Sequence, residues 1–176
     1  MATPRKLHLG CGTRPLEGYE NHDIELWPYA VHQFNLEETP YPIPDSTYDE
    51  IKSVHVAEHI ENFIPMMMEC HRILKPRGLL DITVPYIRCQ GAIANPLHLN
   101  YFDEASLDMF YNPEGCWQIR CKTPLFTRES VSLSFAKSRN GKMVDNPILS
   151  AIGWLLWKSR VAWCGGEINY RLRCLK

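Results

Sequence analysis

The chain has 176 residues, with 19 Lys and Arg against 20 Asp and Glu and a formal net charge of −1. That length suits a single domain able to bury a core without disulfide or metal staples. With 45% hydrophobic and 22% charged residues, the chain is neither disordered nor collagenous nor a plain coiled coil.

In chain order, Lys6-Leu7-His8-Leu9 reads as a short strand ending at Gly10-Cys11-Gly12. Tyr19 to Ile24 and Ala30 to Leu36 read as two more strands, the latter closed by the loop Thr39-Pro40-Tyr41-Pro42-Ile43-Pro44. Asp49 to Val56 forms a fourth. A helix follows, capped by Asn62 with Pro65 in its first turn; its stripe is Ile64, Met67, Met68 and Leu74, and Pro76-Arg77-Gly78 stops it. Leu79 to Tyr86 is then a buried strand, and Asp103 to Tyr111 a second helix capped by Asp103. Trp117 to Thr123 and Ser130 to Phe135 read as strands, Pro147 to Trp163 as a Trp- and Leu-rich helix, and Ile168 to Leu175 as a last strand alternating apolar and basic residues. Alternating strands and helices argue for an α/β protein: a mostly parallel sheet with helices on both faces and an antiparallel pair at one edge. The expected organisation is one domain over 1–176, with residues 6–111 as its core and 112–176 adding the final strands and the apolar helix.

No run of residues is apolar and long enough to span a membrane, and no leader is expected at the N-terminus. Seven cysteines with no CxxC pair suit reduced thiols, and hence a cytoplasmic location. Residues 1–119 hold 8 Lys and Arg against 17 Asp and Glu, and residues 120–176 hold 11 against 3. Two such segments can fold onto one another, or the basic one can face an anionic partner.

Glycines at the tip of a first strand let the backbone approach a ligand, which in open α/β sheets binds at the strands' carboxyl ends. The dinucleotide fingerprint is not met, because Pro15 stands where its third glycine belongs, and no Walker lysine follows. Asp23, closing the second strand, is suited to accept hydrogen bonds from ribose hydroxyls. The ordered series LHLGCG, Asp23, Asn35-Leu36, PIPDSTYDEI, VHVAEHI and RILKPRGLLDITVP resembles the class I S-adenosylmethionine-dependent methyltransferases, notably the small type 11-like group, over residues 6–111.

That resemblance implies a Rossmann-like, seven-stranded-type sheet that binds S-adenosylmethionine and transfers its methyl group to a small or sugar-containing acceptor. It implies that Gly10, Cys11 and Gly12 pass under the methionine part of the cofactor and that Asp23 binds the ribose. Asn35 and Leu36 would lie at the adenine edge, where the family more often has Asp, and Val54 and His55 would border the methionine. Glu58, His59, Tyr86 and His98 would line the acceptor side, with His59 and His98 as candidate bases, since histidine exchanges protons near neutral pH. A protein that keeps this fold and binds the cofactor without transferring a methyl group is the alternative.

Three features depart from the family. His8 occupies a position where many relatives carry Asp or Glu. Six residues between Gly12 and Tyr19 are too few for the usual first helix, so the first crossover is a short loop. No NPPY-type motif follows the fourth strand, so methylation of nucleic-acid bases is not expected.

His55-Val56-Ala57-Glu58-His59 also fits the zinc-protease pattern H-x-x-E-H. That chemistry needs both imidazoles one helical turn apart, and the β-branched run IKSVHV places His55 on a strand. No metal is therefore expected from this motif. The helix over 147–163 suits packing on the sheet, a homodimer contact or a membrane interface through Lys158 and Arg160. Nucleic acid is not an expected partner, because no recognised module is present.

Overall fold

The structure, a computed structural model, describes residues 3–134 and 166–176. Among these, one sheet contains β1 (Lys6–Leu9), β2 (Glu20–Asp23), β3 (Ala30–Gln33), β4 (Tyr48–Val54), β5 (Leu74–Pro85), β6 (Phe126–Ser134) and β7 (Glu167–Cys174). Its order is β3-β2-β1-β4-β5-β7-β6. The first five strands run parallel, and β7 is antiparallel to both neighbours. Helices α1 (Phe63–Ile73), α2 (Gln90–Ile93) and α3 (Asp108–Tyr111) complete the α/β fold. The chain builds outward from β1 toward β3, then returns to add β4 on the other side. The tips of β1 and β4 therefore flank a switch point, where open sheets bind ligands.

Strand register sorts side chains onto two faces. On one face Leu7, Ile51, Leu80 and Leu172 form a cross-strand row, and Leu9, Ser53, Ile82 and Tyr170 form the next. All eight are fully buried. The other face is polar, and its central row is Asn21, His8, Lys52, Asp81 and Arg171. Lys52 pairs with Asp81 at 3.1 Å and Lys6 with Glu50 at 2.9 Å. Arg171 and Arg173 both reach Glu129. The alternation expected for the last strand is realised, with Ile168, Tyr170, Leu172 and Cys174 all buried.

Residues 10–19 contain turns and no helix, so the first crossover is short as expected. Asn21 braces it from the polar face. Its Oδ1 accepts the Leu16 N–H at 2.9 Å, and its Nδ2 donates to the carbonyls of Leu16 and Tyr19. The same Oδ1 accepts from His8 Nδ1 at 3.1 Å. Burial holds the His8 imidazole below its ordinary pKa, so it sits there neutral.

Helix α1 forms where expected but is rotated relative to the expected stripe. Ile64 and Met68 are 38% and 42% exposed, while Met66, Met67, Cys70 and Ile73 are fully buried. Phe63 sets the rotation, because it packs edge-on against Phe102 and Phe110 and the buried positions then follow at helical spacing. Burying Met66 and Met67 contributes about 1.5–3 kcal/mol each. Asn62 makes no side-chain cap. Instead the Glu37 carboxylate accepts the N–H groups of Glu61 and Asn62, each at 2.8 Å, placing negative charge at the positive end of α1.

The chain enters β5 at Leu74 directly from the helix. Pro76-Arg77-Gly78 lies inside β5 and makes its irregularity, shifting the register from Tyr48↔Leu74 to Glu50↔Leu79. The helix expected over 103–111 shrinks to α3, because Asp103 spends its Oδ1 on the Ala105 N–H and the Ser106 hydroxyl in a separate turn. The strand expected over 117–123 is absent; a single 3₁₀ turn covers Cys116–Ile119. Its buried residues, Cys116 and Ile119, are three apart, so the local period is three and not two. The helix expected over 147–163 lies outside the described residues. Among the described residues no helix is long and apolar enough to cross a membrane.

The capping geometry predicts opposite sensitivities for two neighbours. Glu37→Ala should cost about 1–2 kcal/mol in urea unfolding, as for loss of a helix cap. Asn62→Ala should cost under about 0.5 kcal/mol, because its side chain contributes only a 3.3 Å bond to the Glu37 carbonyl.

Candidate active site at the tips of β1 and β4

The site begins where β1 ends. Gly10 has φ +62°, and a Cβ there would fall 2.4 Å from Val56 Cγ2. Glycine thus both permits the turn and makes room for Val56. The Gly10 N–H donates to His22 Nδ1 at 3.3 Å, and the Cys11 N–H to the His22 carbonyl at 2.9 Å. His22 Nε2–H donates to the Phe34 carbonyl at 2.9 Å. The ring is thereby fixed as the neutral Nε2–H tautomer. Burial pushes its pKa down to about 4, in keeping with an Nδ1 that faces an N–H donor.

Asp23 closes β2 and is nearly buried. Its Oδ2 accepts the Gly12 N–H at 2.7 Å and its Oδ1 accepts the Glu25 N–H at 3.1 Å. Tyr29 hydroxyl donates to the Gly12 carbonyl at 2.6 Å. A cavity of about 250 Å³ opens here, lined by Gly10, His22, Asp23, Ile24, Asn35, Leu36, His55, Val56, His59 and Ile60.

Of the sequence-predicted cofactor residues, Gly10, Asp23, Asn35, Leu36 and His55 line this cavity. Cys11, Gly12 and Val54 do not. Cys11 is buried, and Gly12 acts through its bond to Asp23. Asn35 is also engaged in its own turn, accepting the Glu37 N–H and donating to Glu38. His22, Ile24, Val56 and Ile60 line this cavity without having been singled out by the sequence. His22 looked like an ordinary strand residue, and Val56 sits two residues past the strand end and reaches back over Gly10.

A second cavity of about 310 Å³ adjoins the first, sharing His55 and His59, and is also lined by Glu58, Pro85, Gly91, Asn95, His98, Gly166 and Glu167. His55 leaves β4 with φ +56°. Its ring lies between Glu58, 3.3 Å from Nδ1, and Glu167, 3.0 Å from Nε2. Glu167 first and Glu58 second push its pKa up to about 9, so it stays an imidazolium at neutral pH. Two carboxylates around one imidazolium leave the group net negative. Glu58 follows on a 3₁₀ turn, Ala57–His59, and is 1% exposed. Its carbonyl accepts the N–H groups of Leu99 and Asn100, which ties segment 95–100 to this turn. His59 and His98 rings meet edge to face, 4.9 Å between centroids.

Glu58, His59 and His98 are therefore brought together as expected for one side of the site. Tyr86 is not with them. It is 2% exposed, its hydroxyl donates to Glu104, and it lies outside the lining of both cavities. A tyrosine one residue past the end of β5 falls on the core face with Phe102, to which it is bridged.

This geometry agrees with what the chain resembles. Residues 7–82 match the family described as methyltransferase domain, type 11. That segment, somewhat under half of the chain, is what the sequence shares with this family. A search of curated proteins returns no match. Among solved structures, a SAM-dependent methyltransferase from Archaeoglobus fulgidus aligns at 16% identity and TM-score 0.62, covering 97% of this chain and 86% of that one. One from Mesorhizobium loti aligns at 12% identity and TM-score 0.54, covering 97% and 90%. The [4+2]-cyclase SpnF aligns at 16% and TM-score 0.58, covering 98% and 75%. At these identities the likeness speaks for the fold.

The lining of the first cavity is compatible with the cofactor that the resemblance implies, S-adenosylmethionine. Its walls pair apolar Leu36, Val56 and Ile60 with the Asp23 carboxylate, whose oxygens each keep a second lone pair for a ribose hydroxyl. The net negative Glu58–His55–Glu167 group complements a sulfonium.

Two outcomes test the strand-tip geometry. Gly10→Ala meets both positive φ and Val56, and should cost about 3 kcal/mol or more. Gly12→Ala, with φ +49° and nothing within 4 Å, should cost only about 1–2 kcal/mol for the left-handed backbone. Thermal melts of both variants make the comparison. His22 should also make the protein acid-sensitive. Above pH 6.5 neither state binds its proton, and between 6.5 and about 4 only the unfolded chain does. Stability should therefore fall by about 3 kcal/mol over that window and then level off. An NMR titration of the His22 ring near 6.5 would disprove it.

Proposed function

We propose that the chain binds S-adenosylmethionine in the 250 Å³ cavity and transfers its methyl group to an acceptor in the adjoining 310 Å³ cavity. The observation that carries this reading is the contact between the two cavities, whose shared wall is His55 and His59. When bound, the cofactor supplies a methyl group already activated on a sulfonium. The chain's own residues supply position. Asp23 would hold the ribose hydroxyls, and Leu36 and Ile60 the flat adenine. His55, clamped by Glu58 and Glu167, would fix the wall between cofactor and acceptor. Positioning of this kind can supply on the order of 7–11 kcal/mol of the barrier.

The acceptor cavity is lined mainly by polar side chains and glycines, which suits a small or sugar-containing molecule bearing hydroxyls or amines. Where the acceptor must lose a proton, His59 or His98 would receive it on an Nε2 that is free of other ligands. A second reading, cofactor binding without methyl transfer, draws on His8. Neutral and bonded to Asn21, it offers no carboxylate for the methionine amine. Ligand binding without turnover on a broad acceptor panel would favour it.

Isothermal titration with S-adenosylmethionine or S-adenosylhomocysteine tests the first reading. Saturable binding is expected, and Asp23→Ala should weaken it by about 1.5–3 kcal/mol, roughly ten- to hundredfold. Unchanged affinity in that variant, or no heat in the wild type at high micromolar ligand, would remove the assignment.

A further inference from the structure

The geometry points to a divalent transition-metal site formed by Glu58, His59 and His98. One ligand atom from each of these residues lies within 4.8 Å of the others. Both histidines are prepared as ligands. His59 Nδ1 faces the Leu97 carbonyl at 3.0 Å, and His98 Nδ1 faces the Ala92 carbonyl at 2.7 Å. A carbonyl only accepts, so each Nδ1 carries the proton and each Nε2 presents a lone pair to the second cavity. This is how metal-binding histidines are usually held, with the non-ligating nitrogen donating to a backbone carbonyl or carboxylate.

Glu58 supplies the anionic ligand. It is 1% exposed, and its Oε2 has no hydrogen-bond partner among the described residues. Leaving a buried carboxylate oxygen unpaired is costly, and a cation would satisfy it. Its other oxygen, Oε1, accepts from His55 Nδ1 at 3.3 Å, which orients the carboxylate. The three ligands are also tied together by backbone, since the Leu99 and Asn100 N–H groups bond to the Glu58 carbonyl and hold His98 near the 57–59 turn.

His59 Nε2 and Glu58 Oε1 are 4.0 Å apart. Small side-chain rotations would bring the donors to bond lengths of about 2.0–2.2 Å around one ion. Two imidazoles and one carboxylate favour zinc, manganese, cobalt or iron over magnesium and calcium, which prefer all-oxygen sets. Three protein ligands leave at least one coordination position open toward the 310 Å³ cavity. There the ion would take an oxygen donor, water or a hydroxyl of the acceptor. Only that last role rests on the proposed methyl transfer; the site itself does not. The H-x-x-E-H motif thus contributes only Glu58 and His59. His55 instead bonds the Glu58 carboxylate, and His98, far away in sequence, takes its place among the ligands.

The test uses the full chain, stripped with a chelator, dialysed and free of cofactor. Titration with Zn²⁺ by calorimetry should show one ion per chain. Co²⁺ should give visible d–d bands without an intense near-ultraviolet sulfur band, which separates this site from the cysteines. His59→Ala, at a half-exposed position, should fold normally and weaken binding at least about tenfold, as should His98→Ala where circular dichroism shows it folded. His71→Ala, which removes a ring packed on Phe126 outside both cavities, should leave binding unchanged. Absence of saturable binding, full binding in His59→Ala, or a sulfur band would each overturn the site. S-adenosylhomocysteine titration in chelator, run separately, reports on the cofactor reading alone.

Discussion

Val56 occupies the space that a side chain on residue 10 would fill, and both cavities depend on that contact. Because Gly10 carries no Cβ and adopts φ +62°, the chain after β4 can close over the tip of β1. The 3₁₀ turn that follows Val56 then delivers Glu58 and His59 to the opening between the strands. Any residue but glycine would push Val56 away and carry the turn with it. The glycine signal in the sequence therefore encodes a packing event between two strands, more than a backbone approach to phosphate.

The polar face of the sheet is the second constraint. Parallel sheets are normally covered on both faces and read as continuous apolar runs. Here β1, β4, β5 and β7 alternate. One face holds the core, and the other spends its charges on cross-strand pairs such as Lys52–Asp81 and Lys6–Glu50. Pairs of this kind, whose lysines stay partly exposed, contribute little net stability, and their effect is to align the strands. The bracing of the first crossover is left to Asn21, whose amide binds Leu16 and Tyr19 in the second half of that loop. A first crossover this short is compatible with the fold because β2 is pinned at His22 and Asp23 by the backbone of residues 10–12.

Much of this is legible in the sequence. The mostly parallel sheet with its antiparallel edge, the short crossover, Asp23 at the tip of β2 and the placing of Glu58, His59 and His98 on one side all follow from motifs whose chemistry depends on position within the chain. What was not legible depends on long-range packing. The rotation of α1 is decided by Phe63 against Phe102 and Phe110, partners no helical wheel includes. Its cap comes from Glu37, 25 residues before Asn62. His22 and Ile60 enter the first cavity only once β2 and the 57–59 turn come together around it. Cys116 and Ile119 misled because a period of three over four residues resembles a strand fragment until burial is known.

Glu58 links the two halves of the site. One carboxylate oxygen, Oε1, lies 3.3 Å from His55 Nδ1, on the wall shared by both cavities, and 4.0 Å from His59 Nε2, while Oε2 has no hydrogen-bond partner among the described residues. A change of charge on either side is felt on the other through this one buried group, since little water lies between them to screen it. Glu167, arriving from the far antiparallel strand, closes the same chain of contacts at His55. The antiparallel edge is thus part of the site's electrostatics. The fold needs β7 to complete its sheet, and the start of that strand supplies the second carboxylate that keeps His55 charged.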